Sequence, residues 1–373
     1  MKRHSCLTLL FLPLLVCLVA ACGNATTSPS STGGPLAPSP AQNQPAPPAH
    51  MAIGRFQEFA LPQNNSGLMR PAADSQGRLW FGEMNRNYLG SFDPHTGKFW
   101  QQTPPHGKWG IMGIAAAPDD TIWFAEQYAD YIGRYNPQNG QYTIYQLPTI
   151  HAPDPSDASK TQSLPSAPND VVLDRRGNLW FTELNANAIG SLNTSTGSIH
   201  QYPLTSAKNA RALDPYGIAV DPQGNIWFTE ASTSRLGRLN PATGQISSFT
   251  PPGVTSPLME ITSDARGQIW ATTFDTGQLL HFDPGHASFT IYNAPTPLGN
   301  AGGLYGLTVA SNGDIWIAVS AENILARLDS RTRSFSYYSI PTKGSLPIGL
   351  VEGKDQAIWF TESGSNKIGR LQP

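Results

Sequence analysis

Residues 214–252 read DPYGIAVDPQGNIWFTEASTSRLGRLNPATGQISSFTPP, the clearest copy of a unit that recurs along the chain. GIAVD has the apolar pattern of a short strand, DPQGN that of a glycine-containing turn, and IWFTE that of a second strand. SRLGRLN and ISSFT predict a third and a fourth strand, separated by the turn PATGQ. Four short antiparallel strands in about 40 residues are typical of one blade of a β-propeller.

The tryptophan of the second strand marks each unit, so the number of these tryptophans gives the number of units. It recurs seven times, at Trp80, Trp123, Trp180, Trp227, Trp270, Trp316 and Trp359. The two longest intervals carry insertions, at 149–166 and 203–214. Because propellers are built from about four to eight blades, seven units are enough to close a ring.

The two ends of the repeat region complement each other. The last unit ends after its third strand, NKIGRLQP (366–373). The segment GRFQEFALP (54–62) resembles a fourth strand, but the first three strands of a unit do not precede it. Pairing these segments would complete the last blade and remove an open sheet edge. We therefore predict an all-β, seven-bladed propeller of four-stranded blades over 51–373, with each tryptophan packed between neighbouring blades. A ring of six or eight blades is the alternative.

The N-terminal segment has the features of a targeting sequence. A basic start at residues 2–4 precedes an apolar run over residues 7–21, which predicts a signal peptide over 1–21. The sequence VAAC (19–22) resembles the lipobox of bacterial lipoproteins, and this resemblance implies cleavage before Cys22 and lipidation of its sulfur. An ordinary secretion signal or an N-terminal membrane anchor are the alternatives.

Residues 22–50 are rich in proline, serine and alanine, and we expect a disordered tether between the lipidated cysteine and the propeller. The predicted location is extracytoplasmic, with the protein held at a membrane by Cys22. The other cysteines, Cys6 and Cys17, fall in the signal peptide, so the folded body has none for a disulfide or a zinc site. With 24 basic and 26 acidic residues, the chain does not suggest a nucleic-acid partner, and we expect a monomer.

Strand alternation predicts which positions surround the mouth of the channel. One position lies eleven residues before each tryptophan, at the start of the innermost strand, and comprises Met69, Met112, Asn169, Tyr216, Met259, Tyr305 and Ile348. We expect Met69, Met112, Asn169, Tyr216, Met259 and Tyr305, together with Trp109, to bind a ligand. The alternative is that they only plug the channel.

A second position, three residues after each tryptophan, is glutamate in five of the seven units: Glu83, Glu126, Glu183, Glu230 and Glu362. Glu183 and Glu230 lie, with Asp214, in the blades beside the insertions and could hold Mg²⁺ or Ca²⁺. No fixed-spacing metal motif supports this site. The alternative is that each glutamate accepts hydrogen bonds from its own blade and fixes a turn.

Histidine is a frequent general base, and most histidines here fall outside the mouth. Only His106 and His151 lie in loops that could reach it. They are the candidate bases, although a solvated loop histidine is the simpler interpretation. No Ser-His-Asp spacing, P-loop or GxSxG motif is present.

The repeated motifs resemble those of the virginiamycin B lyase (streptogramin B lyase) family. The best matches are DPYGIAVDPQGNIWFTE (214–230), DRRGNLWFTELNANAIGSL (174–192) and AIWFTESGSNKIGRL (357–371), and the similarity extends over the whole predicted propeller. The resemblance implies magnesium-assisted elimination that opens a cyclic depsipeptide, with a histidine base beside the metal.

The family's site residues are mostly absent from this chain. The family's tyrosine position is occupied by Met69, its two histidine positions by Tyr305 and Ile348, and one glutamate position by Leu346. Only Glu362 matches. Because isoleucine cannot accept a proton and leucine cannot bind magnesium, the family's reaction is not expected to operate unchanged.

We therefore predict a lipid-anchored propeller that binds a small-molecule, peptide or cell-envelope ligand at the mouth bearing the insertions. The alternative is an enzyme: a metal-assisted lyase, or a lactonase-type hydrolase, with a relocated site. Its base would be His106, His151 or a carboxylate such as Glu362.

Overall fold

A computed structural model describes residues 42–43, 49–106, 110–154, 157–204, 213–293 and 302–373. The predicted signal peptide, Cys22, most of the predicted tether, Trp109 and residues 205–212 of the second insertion lie outside these ranges. Of the described residues, none belongs to a helix with the length and apolar character needed to cross a membrane.

Seven four-stranded antiparallel sheets follow one another along the chain, as the repeat predicts. The innermost strands are Leu68–Ala73, Ile111–Ala116, Pro168–Leu173, Pro215–Val220, Leu258–Ser263, Leu304–Val309 and Pro347–Glu352. The second strands are Leu79–Glu83, Ile122–Glu126, Asn178–Glu183, Ile226–Glu230, Ile269–Thr273, Ile315–Val319 and Ile358–Glu362.

The third strands are Tyr88–Asp93, Tyr131–Asn136, Ala188–Asn193, Arg235–Asn240, Gln278–Asp283, Ile324–Leu328 and Lys367–Gln372. The outermost strands of blades one to six are Lys98–Gln102, Gln141–Gln146, Ile199–Pro203, Gln245–Phe249, Ser288–Asn293 and Phe335–Ser339. A single-turn 3₁₀ helix, Ser320–Glu322, follows the second strand of blade six.

The ring closes as predicted. Strand Arg55–Ala60 pairs antiparallel with Lys367–Gln372, from Arg55 opposite Gln372 to Ala60 opposite Lys367, and becomes the outermost strand of blade seven. The innermost strand of blade seven also contacts that of blade one. A seven-bladed propeller completed from both termini is therefore confirmed.

Three further strand pairings lie outside the blades. Ala49–Met51 runs parallel to the outermost strand of blade six, and Gln42–Asn43 runs parallel to that of blade five. The insertion at 149–166 forms a hairpin of Ile150–Asp154 and Asp157–Leu164 between blades two and three.

The tryptophans pack between blades. Trp227 lies in one apolar cluster with residues of blade five, and Trp359 joins blade seven to blade one in the same way across the seam. Burial of a side chain of this size contributes up to about 4–6 kcal/mol by area. The blades are thus held together mainly by a repeated apolar contact.

A hydrogen bond from the tryptophan to an aspartate fixes the turn between the first two strands in blades one, three, four and five. In blade four, Asp221 Oδ2 accepts a hydrogen bond from Trp227 Nε1 at 2.8 Å, while Oδ1 accepts from the backbone N–H groups of Gln223 and Asn225, each at 2.9 Å. Gly224 has φ +85°, a conformation that favours glycine. The spacing Asp-x-x-Gly-x-x-Trp therefore encodes a structural turn, as predicted for the segment DPQGN.

Candidate functional site

A bulge in each innermost strand shapes the mouth. The pairing of the first two strands shifts register in all seven blades, between Pro215 and Ile218 in blade four for example. Bulges redirect side chains, and here two successive positions of each innermost strand, Tyr216 and Gly217 in blade four, have no partner in the second strand.

The threonine of the IWFTE motif holds this bulge in place. Thr229 Oγ1 accepts a hydrogen bond from the N–H of Gly217 at 2.9 Å and donates to the carbonyl of Met259 in the next blade at 2.7 Å. Thr182 bonds in the same way to Asp170 N and Tyr216 O, and Thr272 to Glu260 N and Tyr305 O. These hydroxyls therefore link neighbouring blades beside the channel.

The floor of the mouth is an apolar cluster. It consists of Met69, Met112, Tyr216, Met259, Tyr305 and Ile348, none more than 8% exposed. Asn169 completes the ring, and its Nδ2 donates to the Tyr216 carbonyl at 2.9 Å. The structure thus brings together the positions predicted to bind a ligand, apart from Trp109, and they close the channel at this level.

A partly exposed apolar rim lies against this floor. Met84, Leu184, Ala231, Phe274 and Leu346 pack on the floor cluster without being fully buried. Four of them stand four residues after their tryptophan, one position later than the sequence analysis assigned to the mouth. Because side chains alternate along a strand, this one-residue difference exchanges the glutamates for apolar residues.

The glutamates are instead buried within their own blades. Glu183 Oε2 accepts a hydrogen bond from Gln201 Nε2 at 2.6 Å, and Glu230 accepts from Ser248 Oγ at 3.1 Å and from Thr233 Oγ1 at 2.6 Å. Burial raises the pKa of Glu183 to about 7. These contacts agree with the structural alternative, in which the glutamate ties the outer part of its blade together.

The candidate metal ligands are not gathered into one site. Asp214 Oδ2 accepts a hydrogen bond from Ser232 Oγ, while Glu183 and Glu230 bond to different outermost strands. Within the described ranges, no three Asp, Glu, His or Cys side chains lie close enough to hold a metal ion. As arranged here, the three residues do not fit Mg²⁺ or Ca²⁺.

The channel contains a charged trio that the sequence analysis did not identify. Arg70 Nε lies 2.9 Å from Glu260 Oε2 and 3.5 Å from Asp170 Oδ1, and Arg70 Nη2 lies 2.5 Å from Glu260 Oε1. All three residues are at most 8% exposed. They come from blades one, three and five, so the ion pairs span the channel.

A pattern in the sequence could have revealed this trio. All three residues lie ten positions before their tryptophan, where the other four blades have Gly113, Gly217, Gly306 and Gly349. A Cβ on Gly217 would lie 2.6 Å from the Met259 carbonyl oxygen of the next blade, so an ordinary residue is costly there. A charged residue at a position where other blades need a glycine is therefore the sequence feature that could have revealed the trio.

The charges of the trio support each other. Burial raises the pKa of Asp170 and of Glu260, and the Arg70 guanidinium opposes both shifts. Burial alone would lower the pKa of Arg70, but the two carboxylates outweigh it and the pKa lies well above its ordinary value. The guanidinium also lies 5.2 Å from the centre of the Tyr216 ring.

The two tyrosines of the floor touch through their hydroxyl groups. Tyr216 and Tyr305 form a short hydroxyl–hydroxyl contact with their rings nearly perpendicular at 84°. Burial is the main reason that the pKa of each phenol lies above its ordinary value. Both are therefore neutral near pH 7 and act as hydrogen-bonding groups.

The candidate catalytic residues lie apart from one another. His106 is exposed in a turn with φ +57°. His151 is exposed in the insertion hairpin, with Nδ1 3.3 Å from Ser163 Oγ. Glu362 is fully buried in blade seven, where Oε2 accepts a hydrogen bond from Ser365 Oγ at 2.7 Å. The positions of the family's tyrosine and histidines do meet, but as Met69, Tyr305 and Ile348 in the apolar floor.

Comparison with known proteins agrees with the motifs. The sequence profile of the virginiamycin B lyase family matches residues 49–328. Among curated proteins, none matches this chain significantly. A streptogramin B lyase structure superposes with a TM-score of 0.74 at 25% identity, covering 86% of this chain and 97% of the other. Virginiamycin B lyase from Staphylococcus aureus gives the same TM-score and identity, covering 86% and 100%.

Two further structures are informative in different ways. A catalytically inactive histidine-to-alanine variant of the S. aureus lyase, solved with quinupristin, gives a TM-score of 0.73 at 25% identity and covers 86% of this chain and 100% of the other. The extracellular domain of BT3049 from B. thetaiotaomicron gives 0.65 at 18% identity, covering 86% of this chain but only 42% of that one. The second similarity concerns the fold alone.

Proposed function

The chain belongs to the virginiamycin B lyase family, and we propose that it uses the family propeller to bind an apolar or amphipathic ligand at the mouth without the family's elimination. The observation that carries this proposal is the mouth itself, where a partly exposed apolar rim surrounds a closed apolar floor. Such a surface suits a small molecule, a peptide or a cell-envelope component with an uncharged face.

The chemistry of the mouth supports binding over catalysis. The floor contains methionines, isoleucine and two neutral tyrosines, and the family's histidine positions hold Tyr305 and Ile348. A general base must lie within hydrogen-bonding reach of the proton that it removes. Glu362, the one matching residue, bonds to Ser365 and to groups of the outer strands of blade seven.

Phe274 is the residue on which to test the mouth. It is partly exposed on the rim and packs edge-on against Tyr305, with the ring centres 6.3 Å apart. Saturable binding of quinupristin should be measurable by calorimetry, and Phe274→Ser should weaken it by about tenfold or more. Ile53→Ser is the control, because Ile53 is 99% exposed beside the closing strand and outside the mouth cluster. Equal weakening by both substitutions, or no saturable binding of quinupristin or of an apolar fluorescent probe, would contradict the proposal.

Chromatography with mass detection separates binding from the enzyme alternatives. Elimination changes the retention of quinupristin but not its mass, whereas hydrolysis adds one water. We expect neither change. An opened product would establish the enzyme alternative, and its loss in His106→Ala or His151→Ala would identify the base.

The predicted metal is tested separately. The candidate ligands Asp214, Glu183 and Glu230 do not converge on one point that Mg²⁺ or Ca²⁺ could occupy. Melting the protein with and without each ion, and again after Glu230→Gln, decides the matter. A shift that the substitution abolishes would show a metal site that the described contacts do not predict.

We also propose that the protein is anchored outside the cytoplasm through Cys22. The lipobox-like sequence at 19–22 supports this proposal. Cys22→Ser should move the protein from the membrane fraction to the soluble fraction. Unchanged membrane association would refute lipidation at this residue.

A further inference from the structure

The glutamate that follows the tryptophan usually meets a hydrogen-bond donor on the outermost strand. The donor stands opposite the glycine of the third strand, so that the two side chains meet over a position with no side chain. The pairs are Gln101 with Glu83 in blade one, Gln201 with Glu183 in blade three and Ser248 with Glu230 in blade four.

Blade seven departs from this arrangement. Its outermost strand comes from the N-terminal segment and places Glu58 opposite Gly369. Glu58 therefore takes the place of the donor that meets the glutamate in blades one, three and four, and its side chain faces Glu362. Because an ionised carboxylate only accepts hydrogen bonds, the two groups can bond to each other only when one of them carries a proton.

The surrounding donors show which group this is. Glu58 accepts from Thr342 N at 3.1 Å and Thr342 Oγ1 at 2.9 Å, and its Oε2 lies 3.4 Å from Lys367 Nζ. All three groups are hydrogen-bond donors, and Glu58 is the acceptor for each of them. Glu362 is fully buried and receives only Ser365 Oγ, with Oε1 left without a donor. Glu362 Oε1 is therefore the oxygen of the pair that has no other partner and from which a proton could be donated to Glu58.

We propose that the Glu58–Glu362 pair is a proton-controlled latch on ring closure. With Glu362 protonated, its hydrogen bond holds strand Arg55–Ala60 to the rest of blade seven. Loss of that proton places two negative charges against each other in a buried site. Lys367 is the cation that faces them, and Arg370 on the same strand is engaged by Asp355. The strand that closes the ring is then held less firmly.

The direction of the pH dependence follows from the burial of Glu362. Burial raises its pKa from the ordinary 4.5 to about 7, and Glu58 adds to the shift while Ser365 and Lys367 oppose it. A carboxyl whose pKa is higher in the folded state stabilises the fold fully at pH values below 4.5. This contribution is lost as the pH rises through 7. The latch is thus closed in mildly acidic conditions and weakened in alkaline ones.

Glu58→Gln is the matched variant, because it gives blade seven the glutamine found in blades one and three. Hydrogen exchange of residues 55–60, corrected for intrinsic rates, should be measured at pH 5.5 and 8.5. Between these two pH values, a pKa of 4.5 in the open state and about 7 in the closed state sets a ceiling of roughly 30-fold on the gain in strand opening, and we expect about tenfold in the wild type. Glu58→Gln should remove most of this gain. The outermost strand of blade one, Lys98–Gln102, is the internal reference and should show no comparable change.

Two more variants keep the proposal falsifiable if Glu58→Gln folds poorly. Glu362→Gln removes the titrating group itself and should also flatten the pH response of residues 55–60. Gln201→Glu builds a second carboxyl pair against Glu183 and should transfer a pH response to strand Ile199–Pro203. A wild-type response that both glutamine variants retain would overturn the proposal, as would a wild type whose closing strand exchanges equally at the two pH values.

Discussion

Removal of one buried hydroxyl group, in Thr229→Val, tests how the blades are joined at the channel. Thr229 is fully buried and serves two backbone groups at once, the N–H of Gly217 in its own blade and the carbonyl of Met259 in the next. Valine has nearly the same shape but neither donates nor accepts. The substitution therefore removes two hydrogen bonds and leaves the packing almost unchanged.

The expected loss in the free energy of unfolding comes from the two backbone groups that are left without partners. An unsatisfied buried polar group costs about 1–3 kcal/mol, and the added methyl group returns part of that, so we expect a net loss of about 2–4 kcal/mol. For a body of about 320 residues, the unfolding entropy is roughly 0.7 kcal/mol per kelvin. The melting temperature should therefore fall by about 3–6 °C.

Chemical unfolding, followed by tryptophan fluorescence, measures the loss. Thr229→Ser is the first control, since it keeps the hydroxyl and should cost about half as much or less. Thr243→Val is the second, because that hydroxyl makes only an exposed contact with Gln245 N at 3.3 Å and should change stability by under about 0.5 kcal/mol. If valine and serine at position 229 are equally destabilising, packing and not hydrogen bonding explains the recurring shape of the bulge, and our reasoning is refuted.

Two other substitutions test the channel and the blade interior. Arg70→Met should destabilise the protein by about 3–5 kcal/mol near neutral pH, because it leaves two buried carboxylates without their cation. Burial raises the pKa values of these two carboxyls, so they become protonated as the pH falls and the loss of stability should then shrink. Urea unfolding at pH 5 and 8 checks this, with the exposed Arg266→Met as a control that should have little effect. Gly237→Ala should cost more than about 3 kcal/mol, since a Cβ there would lie 2.1 Å from the Phe228 ring, whereas Gly244→Ala has open space and should cost only its backbone strain, about 1 kcal/mol. Equal melting temperatures for the two alanine variants would show that the blade interior adjusts freely.

Much of the fold could be predicted because each blade is encoded locally. The Asp-x-x-Gly-x-x-Trp turn, the alternating strands and the third-strand glycine use hydrogen bonds and contacts within about 40 residues. Repetition of these signals supplied the number of blades. The missing fourth strand of the last unit indicated closure, because an unpaired sheet edge at the seam would be unfavourable.

The candidate site was predicted less well, because small differences in register decide it. The floor residues were identified from their position before the tryptophan, and the structure gathers them. The predicted rim was displaced by one residue, so that buried glutamates were assigned in place of Met84, Leu184 and Ala231, and Thr273 in place of Phe274. Neither the bulges nor the precise end of the second strand can be read from alternation alone.

The sequence by itself determined the repeat, the closure and the family, since these depend on neighbours along the chain. Only the tertiary structure decided which side chains meet across the channel. Arg70 and Glu260 are 190 positions apart, and Glu58 and Lys367 are 309 positions apart, yet each pair is in contact. Ring closure brings such residues together, and burial in a low-dielectric interior then strengthens the electrostatic interaction between their charges.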